Sequence, residues 1–313
     1  RQGNENYRST TRDVRTLLDE FRNEQVDVVI LDLRRNGGGS LTEAINLTGL
    51  FIDEGPIVRV KDADGNVQSY DDTDAGVSWS KPLVVLTSKF SASASEIFAG
   101  AIQDYRRGLV VGDYATHGKG TVQTLQDVGQ RLFSRIQKPP QLGALKVTMQ
   151  QFYRPNGDST QNRGVLSDIE LPSVTTHLDV GESDLDHSVA FDQVDSAPFE
   201  KLTLIDNAIL DGLRKRSKER CKDSKDFQNV EKTITKYLEQ KDRKSVSLQE
   251  DIFMADRENA EEDALKEAFE EDDDDDQIID RNFYFDEALA IALDYTQLLK
   301  NGQFANTKKP EQK

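Results

Sequence analysis

The sequence predicts an α/β fold, a sheet core followed by an acidic, all-helical C-terminal domain, and three observations lead there. Short uninterrupted apolar runs at Val28–Leu33 (VVILDL) and Pro82–Thr87 (PLVVLT) read as strands buried on both faces. Stretches with helical spacing alternate with these runs, the pattern of a sheet covered by helices. Beyond Pro172 the composition shifts to charged, helix-forming segments.

Taken in order, Thr11 to Glu24 is expected as an amphipathic helix with Val14, Leu17, Leu18 and Phe21 on one face and Thr10 or Thr11 as its cap. The strand Val28–Leu33 runs into Arg34-Arg35-Asn36-Gly37-Gly38-Gly39-Ser40, and Leu41–Ile52 then reads as a helix. Three glycines between strand and helix let main-chain amides approach a ligand closely, either a phosphate or an oxyanion. The plainer alternative is a tight turn. Ile57–Val60 and Val67–Tyr70 flank Asp64-Gly65 as a hairpin. A strand Leu83–Leu86, a serine-rich turn, a helix to about Arg106 and a strand Leu109–Val111 follow. Further strands are expected at Thr121–Leu125 and Ala144–Tyr153, separated by a surface loop over Asp127–Gly143 that contains Pro139-Pro140. Arg154-Pro155-Asn156-Gly157 marks a turn. The expected organisation is a core over residues 1–176, a linker over 177–198 and a helical domain over 199–313, with helices at Leu202–Leu213, Phe227–Gln240 and Asp286–Leu299. Glu261–Asp276, which ends in consecutive aspartates, reads as a solvated loop, and 301–313 as a disordered tail.

Composition narrows the function classes. Residues 177–313 hold 35 acidic and 20 basic side chains, so most of the net charge of −17 belongs to the tail, which argues against nucleic acid as a partner. With one cysteine, Cys221, and 3 histidines, neither an internal disulfide nor a metal site or cofactor is expected. No apolar run approaches a membrane span, and the sequence reads as soluble.

The chemistry is expected at Phe90–Ala99 (FSASASEIFA). A serine at a strand-to-helix turn presents its hydroxyl to substrate, and the unpartnered amides of the first helical turn can hold an oxyanion. Alternatively these serines are helix caps. Gly118-Lys119-Gly120-Thr121 fails as a phosphate loop, because Gly112 lies one residue too far upstream and Gly120 stands where Ser or Thr would be needed. Lys119 is then a solvated charge or an amine aimed at one point. A lysine can take a serine proton if burial leaves its amine neutral. His117 offers a minor alternative base, with no evident acid to orient it.

LDLRRNGGGSLTEAINLTGLFI, PLVVLTSKFSASASEIFAGAIQDYRRGLVVGD, HGKGTVQ, FYRPNGDSTQNRGV and YFDEALAIALDY together resemble the tail-specific protease (C-terminal processing peptidase) family, in its long periplasmic branch. The resemblance implies a ClpP/crotonase-like core and a serine endopeptidase with a Ser–Lys dyad. By position it implies Ser93 as nucleophile, Lys119 as base and Gln123 orienting the lysine amine. The implied oxyanion donors are the main-chain amides of Ala94 and of Gly39, with Gly38 beside it. Asp104 matches a family acid in a supporting role, or else is a surface carboxylate closing a helix turn. Implied partners are proteins with exposed apolar C-termini and an adaptor protein, and the implied location is the periplasm, in association with the inner membrane. The YATHGKG loop is one residue longer than the family's TFGKG-like loop and carries His117 for an aromatic, and Gly164–Asp168 lacks a proline often found there. The family's N-terminal helical region, PDZ domain and first core strand have no counterpart in the sequence, so the chain reads as the back half of a longer protease. The other readings are a catalytically silent module that binds peptides or an adaptor, and an acyl-transfer or crotonase-like enzyme acting on thioesters, for which no coenzyme-binding basic cluster accompanies the glycine turn.

Overall fold

The computed structural model describes residues 8–245, 248–251, 254 and 281–300. The acidic stretch Glu261–Asp276 and residues 301–313 lie outside them. The first helix, α1 (Thr10–Asn23), starts one residue later than its cap, which is Ser9 rather than Thr10 or Thr11. Ser9 is preferred because its hydroxyl both accepts from Arg12 N–H and donates to the Glu43 carboxylate on the next helix. Thr11 is held by the same carboxylate through its own N–H and hydroxyl.

A parallel sheet in the order β1 (Val29–Asp32), β4 (Leu83–Thr87), β5 (Leu109–Gly112), β8 (Ile169–Glu170) forms the centre. Alternate residues of β4 and β5 face two different cores. Leu83, Val85 and Val110 pack with Leu47 of α2 (Leu41–Gly49) and with Ile97, Phe98 and Ile102 of α3 (Ala94–Asp104). Val84, Leu86, Leu109 and Val111 instead pack with Ile209 and Leu213 of α5 (Asn207–Asp223) and Ile291 and Tyr295 of α7 (Phe283–Lys300). The helical C-terminal region thus covers the second face of the core sheet, which is why β4 and β5 can be continuous apolar runs. Cys221 faces this second core and is buried. Arg220 of α5 ties the two helices by ion pairs to Glu287 and Asp294 of α7.

An antiparallel sheet flanks the core in the order β3 (Val67–Asp72), β2 (Gly55–Lys61), β7 (Ala144–Tyr153), β6 (Thr121–Asp127). Within the stretch expected as a surface loop, Asp127 caps a short helix α4 (Val128–Leu132), accepting from Gln130 N–H. The helix expected at Leu202 begins at Asn207, where Asp206 supplies the cap, and continues to Asp223. Ser224 then caps α6 (Lys225–Lys241). Residues 177–198 lie against the core: Glu182 is buried, its N–H donates to His117 C=O, and its carboxylate accepts from Gln161. No described helix is long and apolar enough to cross a membrane.

Candidate active site

The serine turn joins β4 to α3, and the three serines of Ser91-Ala92-Ser93-Ala94-Ser95 have different tasks. Ser91 Oγ is buried, donates to Leu33 C=O at 2.7 Å and accepts from Ser88 N–H at 2.9 Å. Ser95 Oγ donates to Asn36, 2.8 Å from its carbonyl and 3.0 Å from its side-chain oxygen. Both serines thereby fasten the serine turn to the residues that follow β1. Ser93 is left over. It is half-buried, its hydroxyl caps nothing, and no hydrogen bond to its Oγ occurs among the described residues. Its backbone sits at φ 58°, ψ −114°, a conformation that costs a non-glycine residue about 1–3 kcal/mol. The turn therefore holds Ser93 in a strained position while leaving its hydroxyl uncommitted, which disfavours the helix-cap alternative for this serine.

The glycine turn is pressed against this serine. Gly38 has φ +98°, and a methyl group there would stand 2.6 Å from Ala92 C=O, 2.8 Å from Ala94 N and 2.8 Å from Ser93 Cβ. Only a glycine allows that approach. Gly38 N–H is already donated to Asn36 Oδ1 at 2.9 Å. The neighbouring Gly39 has open space around it. Ala94, as the first residue of α3, has no acceptor for its N–H within the helix. Gly39 and Ala94 adjoin the two residues in contact, Gly38 and Ser93.

Lys119 lies in the loop between β5 and β6, and its main chain is fixed at both ends. Its N–H donates to Glu96 Oε2 at 3.0 Å and its C=O accepts from Thr160 Oγ1 at 2.7 Å. The flanking glycines make room for residues 159–162: Gly118, at φ +93°, abuts the Asn162 backbone, and a methyl on Gly120 would stand 2.7 Å from Gln161 N. Lys119 Nζ donates to Gln123 Oε1 at 3.3 Å, so the two residues meet although Gln123 already belongs to β6. No hydrogen bond joins Lys119 Nζ to Ser93 Oγ; such contacts are often long before substrate is bound.

What the sequence reading did not single out is Glu96. It lies on the first turn of α3, wholly buried, and its carboxylate gathers four donors. Ser93 N–H reaches Oε2 at 2.7 Å, Thr116 Oγ1 reaches Oε1 at 2.6 Å, and Gly118 N–H reaches Oε1 at 2.7 Å; the fourth is Lys119 N–H. Ser93 N and Lys119 N share one oxygen, which places them within about 6 Å of each other. Burial pushes the Glu96 carboxyl up to about 7 against the opposing pull of these hydrogen bonds. The available signal was Ser93-x-x-Glu96, the spacing of a capping box, which does not announce the three long-range bonds.

His117 is held by its main chain, donating to Ser91 C=O at 3.0 Å. Its Nδ1 lies 3.9 Å from Glu182, and its ring is held below the usual histidine range by burial first and the charges of Lys89 and Lys119 after. Asp104 sits at the far end of α3, at 8% exposure, paired with Arg154 at 2.5 Å and accepting from Asn156 N–H. It touches neither Ser93 nor Lys119 and connects α3 to the end of β7. A cavity of about 1000 Å³ opens at the carboxyl ends of β1, β4 and β5; it shares the wall Arg34–Gly37 with the glycine turn but is not lined by Ser93 or Lys119.

Residues 4–171 match the profile of peptidase family S41, and residues 175–297 match the C-terminal domain of tail specific protease (DUF3340). The chain is 40% identical over 245 residues to a tail-specific protease of Haemophilus influenzae, covering 77% of this chain and 34% of that protein. It is 36% identical over 179 residues to a carboxy-terminal-processing protease of Bartonella bacilliformis, covering 55% and 38% respectively. A solved photosystem II D1 C-terminal processing protease matches at 32% identity with a TM-score of 0.45, covering 52% of this chain and 39% of that one. The chain spans somewhat over a third of the length of these curated relatives.

Proposed function

The chain belongs to peptidase family S41, and on that premise we propose that it is the catalytic part of a serine endopeptidase that cleaves proteins recognised through their C-terminal tails. Ser93 is the nucleophile and Lys119 the general base. The observation that carries this reading is the shared Glu96 carboxylate, which brings the Ser93 and Lys119 main chains together while Ser93 Oγ stays uncommitted.

The uncharged Lys119 amine takes the Ser93 proton, and Oγ attacks the peptide carbonyl carbon. The carbonyl π electrons move to its oxygen, which the N–H groups of Gly39 and Ala94 hold as an oxyanion, with Gly38 keeping the two turns in contact. The tetrahedral centre collapses, the C–N bond breaks, and Lys119 returns the proton to the leaving amine. Water, deprotonated by the same amine, then hydrolyses the acyl-enzyme. Gln123 holds the lysine amine through the Nζ–Oε1 bond. Substrate enters extended, by strand addition beside the site, with its apolar tail recognised elsewhere. The resemblance to the long branch also carries a periplasmic location and an adaptor partner.

The test is cleavage of a protein with an unstructured apolar tail by the parent, Ser93→Ala and Lys119→Ala forms. Both variants are expected to lose cleavage while keeping the parent's unfolding midpoint; cleavage retained by either purified variant overturns the assignment. The Lys119 amine is bonded to Gln123 and not to Ser93, which favours the second reading, a silent module that grips peptides or an adaptor. A parent that binds the same tail without cutting it would establish that one.

A further inference from the structure

We propose that Glu96 is the positioning residue of the Ser–Lys pair, its ionised carboxylate fixing the Ser93 turn and the Lys119 loop in one frame. The inference rests on the dyad reading above and goes beyond it in assigning the group that makes the dyad possible. A capping glutamate needs only its bond to the serine N–H. Glu96 makes that bond and also receives Thr116 Oγ1, Gly118 N–H and Lys119 N–H, 20 to 23 residues further along the chain. These three bonds grip the lysine loop on both sides of Gly118. Each carboxylate oxygen thereby accepts two donors, the full complement of its lone pairs.

All four partners are donors in this arrangement. Thr116 Oγ1 donates to Glu96 and accepts Val165 N–H at 2.8 Å, which leaves it one further lone pair. An amide nitrogen in place of Oε2 would turn N–H groups toward two main-chain donors, Ser93 N–H and Lys119 N–H, neither of which can accept. The charged and titratable groups acting at the gripped loop include Lys119 and His117 on it, Glu182 and Asp184 on the His117 side, and Lys89 on the serine turn.

The experiment compares the parent with Glu96→Gln, which keeps the size of the side chain but turns an amide NH₂ toward two donors, and with Glu96→Asp, which ionises but is one methylene too short to reach both loops. In the Gln variant kcat is expected to fall about 10²-fold with KM within roughly threefold of the parent, the mark of misplaced reacting groups rather than lost binding. Glu96→Asp, too short to reach both loops, should likewise lose kcat while KM is kept. A parent-like kcat in Glu96→Gln overturns the proposal. Amide hydrogen exchange separates this from failure of the dyad: in Glu96→Gln the Gly118 and Lys119 amides should exchange at least about tenfold faster while those of Val84–Leu86 stay protected. Unchanged exchange at Gly118 and Lys119 refutes the positioning role whatever Ser93→Ala and Lys119→Ala do to cleavage.

Discussion

Replacing Gly38 by alanine tests whether the glycine turn is pressed onto the serine turn as described. The added methyl would meet Ala92 C=O at 2.6 Å, Ala94 N at 2.8 Å and Ser93 Cβ at 2.8 Å. Two of these are main-chain atoms, and none belongs to the far end of a flexible side chain, so relief requires backbone movement. Forcing alanine to φ +98° costs about 1–3 kcal/mol. Overpacking of this kind adds about 1–3 kcal/mol. The variant should therefore lose about 2–6 kcal/mol, or roughly 5–20 °C in Tm. Gly39→Ala is the control, because no atom lies within 4 Å of its added methyl. That change should stay within about 0.5 kcal/mol. The assays are urea unfolding and, on the folded fraction of each variant, single-turnover cleavage. If the two turns are forced apart by about 1 Å, the chemical step of Gly38→Ala should slow about 10²-fold. Equal unfolding midpoints for the two alanine variants, together with parent-like cleavage by Gly38→Ala, would refute the close contact and the oxyanion placement built on it.

Two further outcomes follow from buried carboxylates. Glu96 keeps its proton to about 7 in the fold but only to its ordinary 4.5 in the unfolded chain. Between those values the folded state binds the extra proton, so the Glu96 contribution to stability is complete below pH 4.5. It is lost as pH rises through 7, by about 3 kcal/mol. The difference in urea midpoint between Glu96→Gln and the parent, followed from pH 4.5 to 8, should trace that loss; a pH-independent difference contradicts it. Asp104→Ala would leave the Arg154 guanidinium, at 12% side-chain exposure, without its ion pair. A loss of about 3–5 kcal/mol is expected by denaturant unfolding, with the cleavage rate of the folded fraction unchanged because Asp104 does not reach Ser93. A normal midpoint with a slowed rate would instead give Asp104 a part in the chemistry.

Local pattern was enough for much of the architecture. The runs VVILDL and PLVVLT became β1 and β4, and the apolar spacing of the segment after the serines became α3. These elements are written in short-range periodicity, which a sequence displays directly. Helix starts were less legible wherever a side chain chose its cap by a distant bond, as Ser9 does through Glu43. The middle serine and the GKG lysine could be picked out by resemblance, but which serine hydroxyl remains uncommitted could not. Ser91 and Ser95 are occupied by Leu33 and Asn36, which lie 58 and 59 residues upstream.

By itself, then, the sequence determined most of the strands and helices in their order, though not α4 or β8, together with the two glycine-bearing loops and the family. Only the tertiary structure decided that the C-terminal helices form the second face of the core sheet and that Gly38 rests on Ser93. It alone brought four donors from two loops onto one buried glutamate. Apolar periodicity reports that a face is buried, never by what. Hydrogen bonds between segments tens of residues apart exist only once packing has set the distances, and the geometry that links Ser93 to Lys119 is made of such bonds.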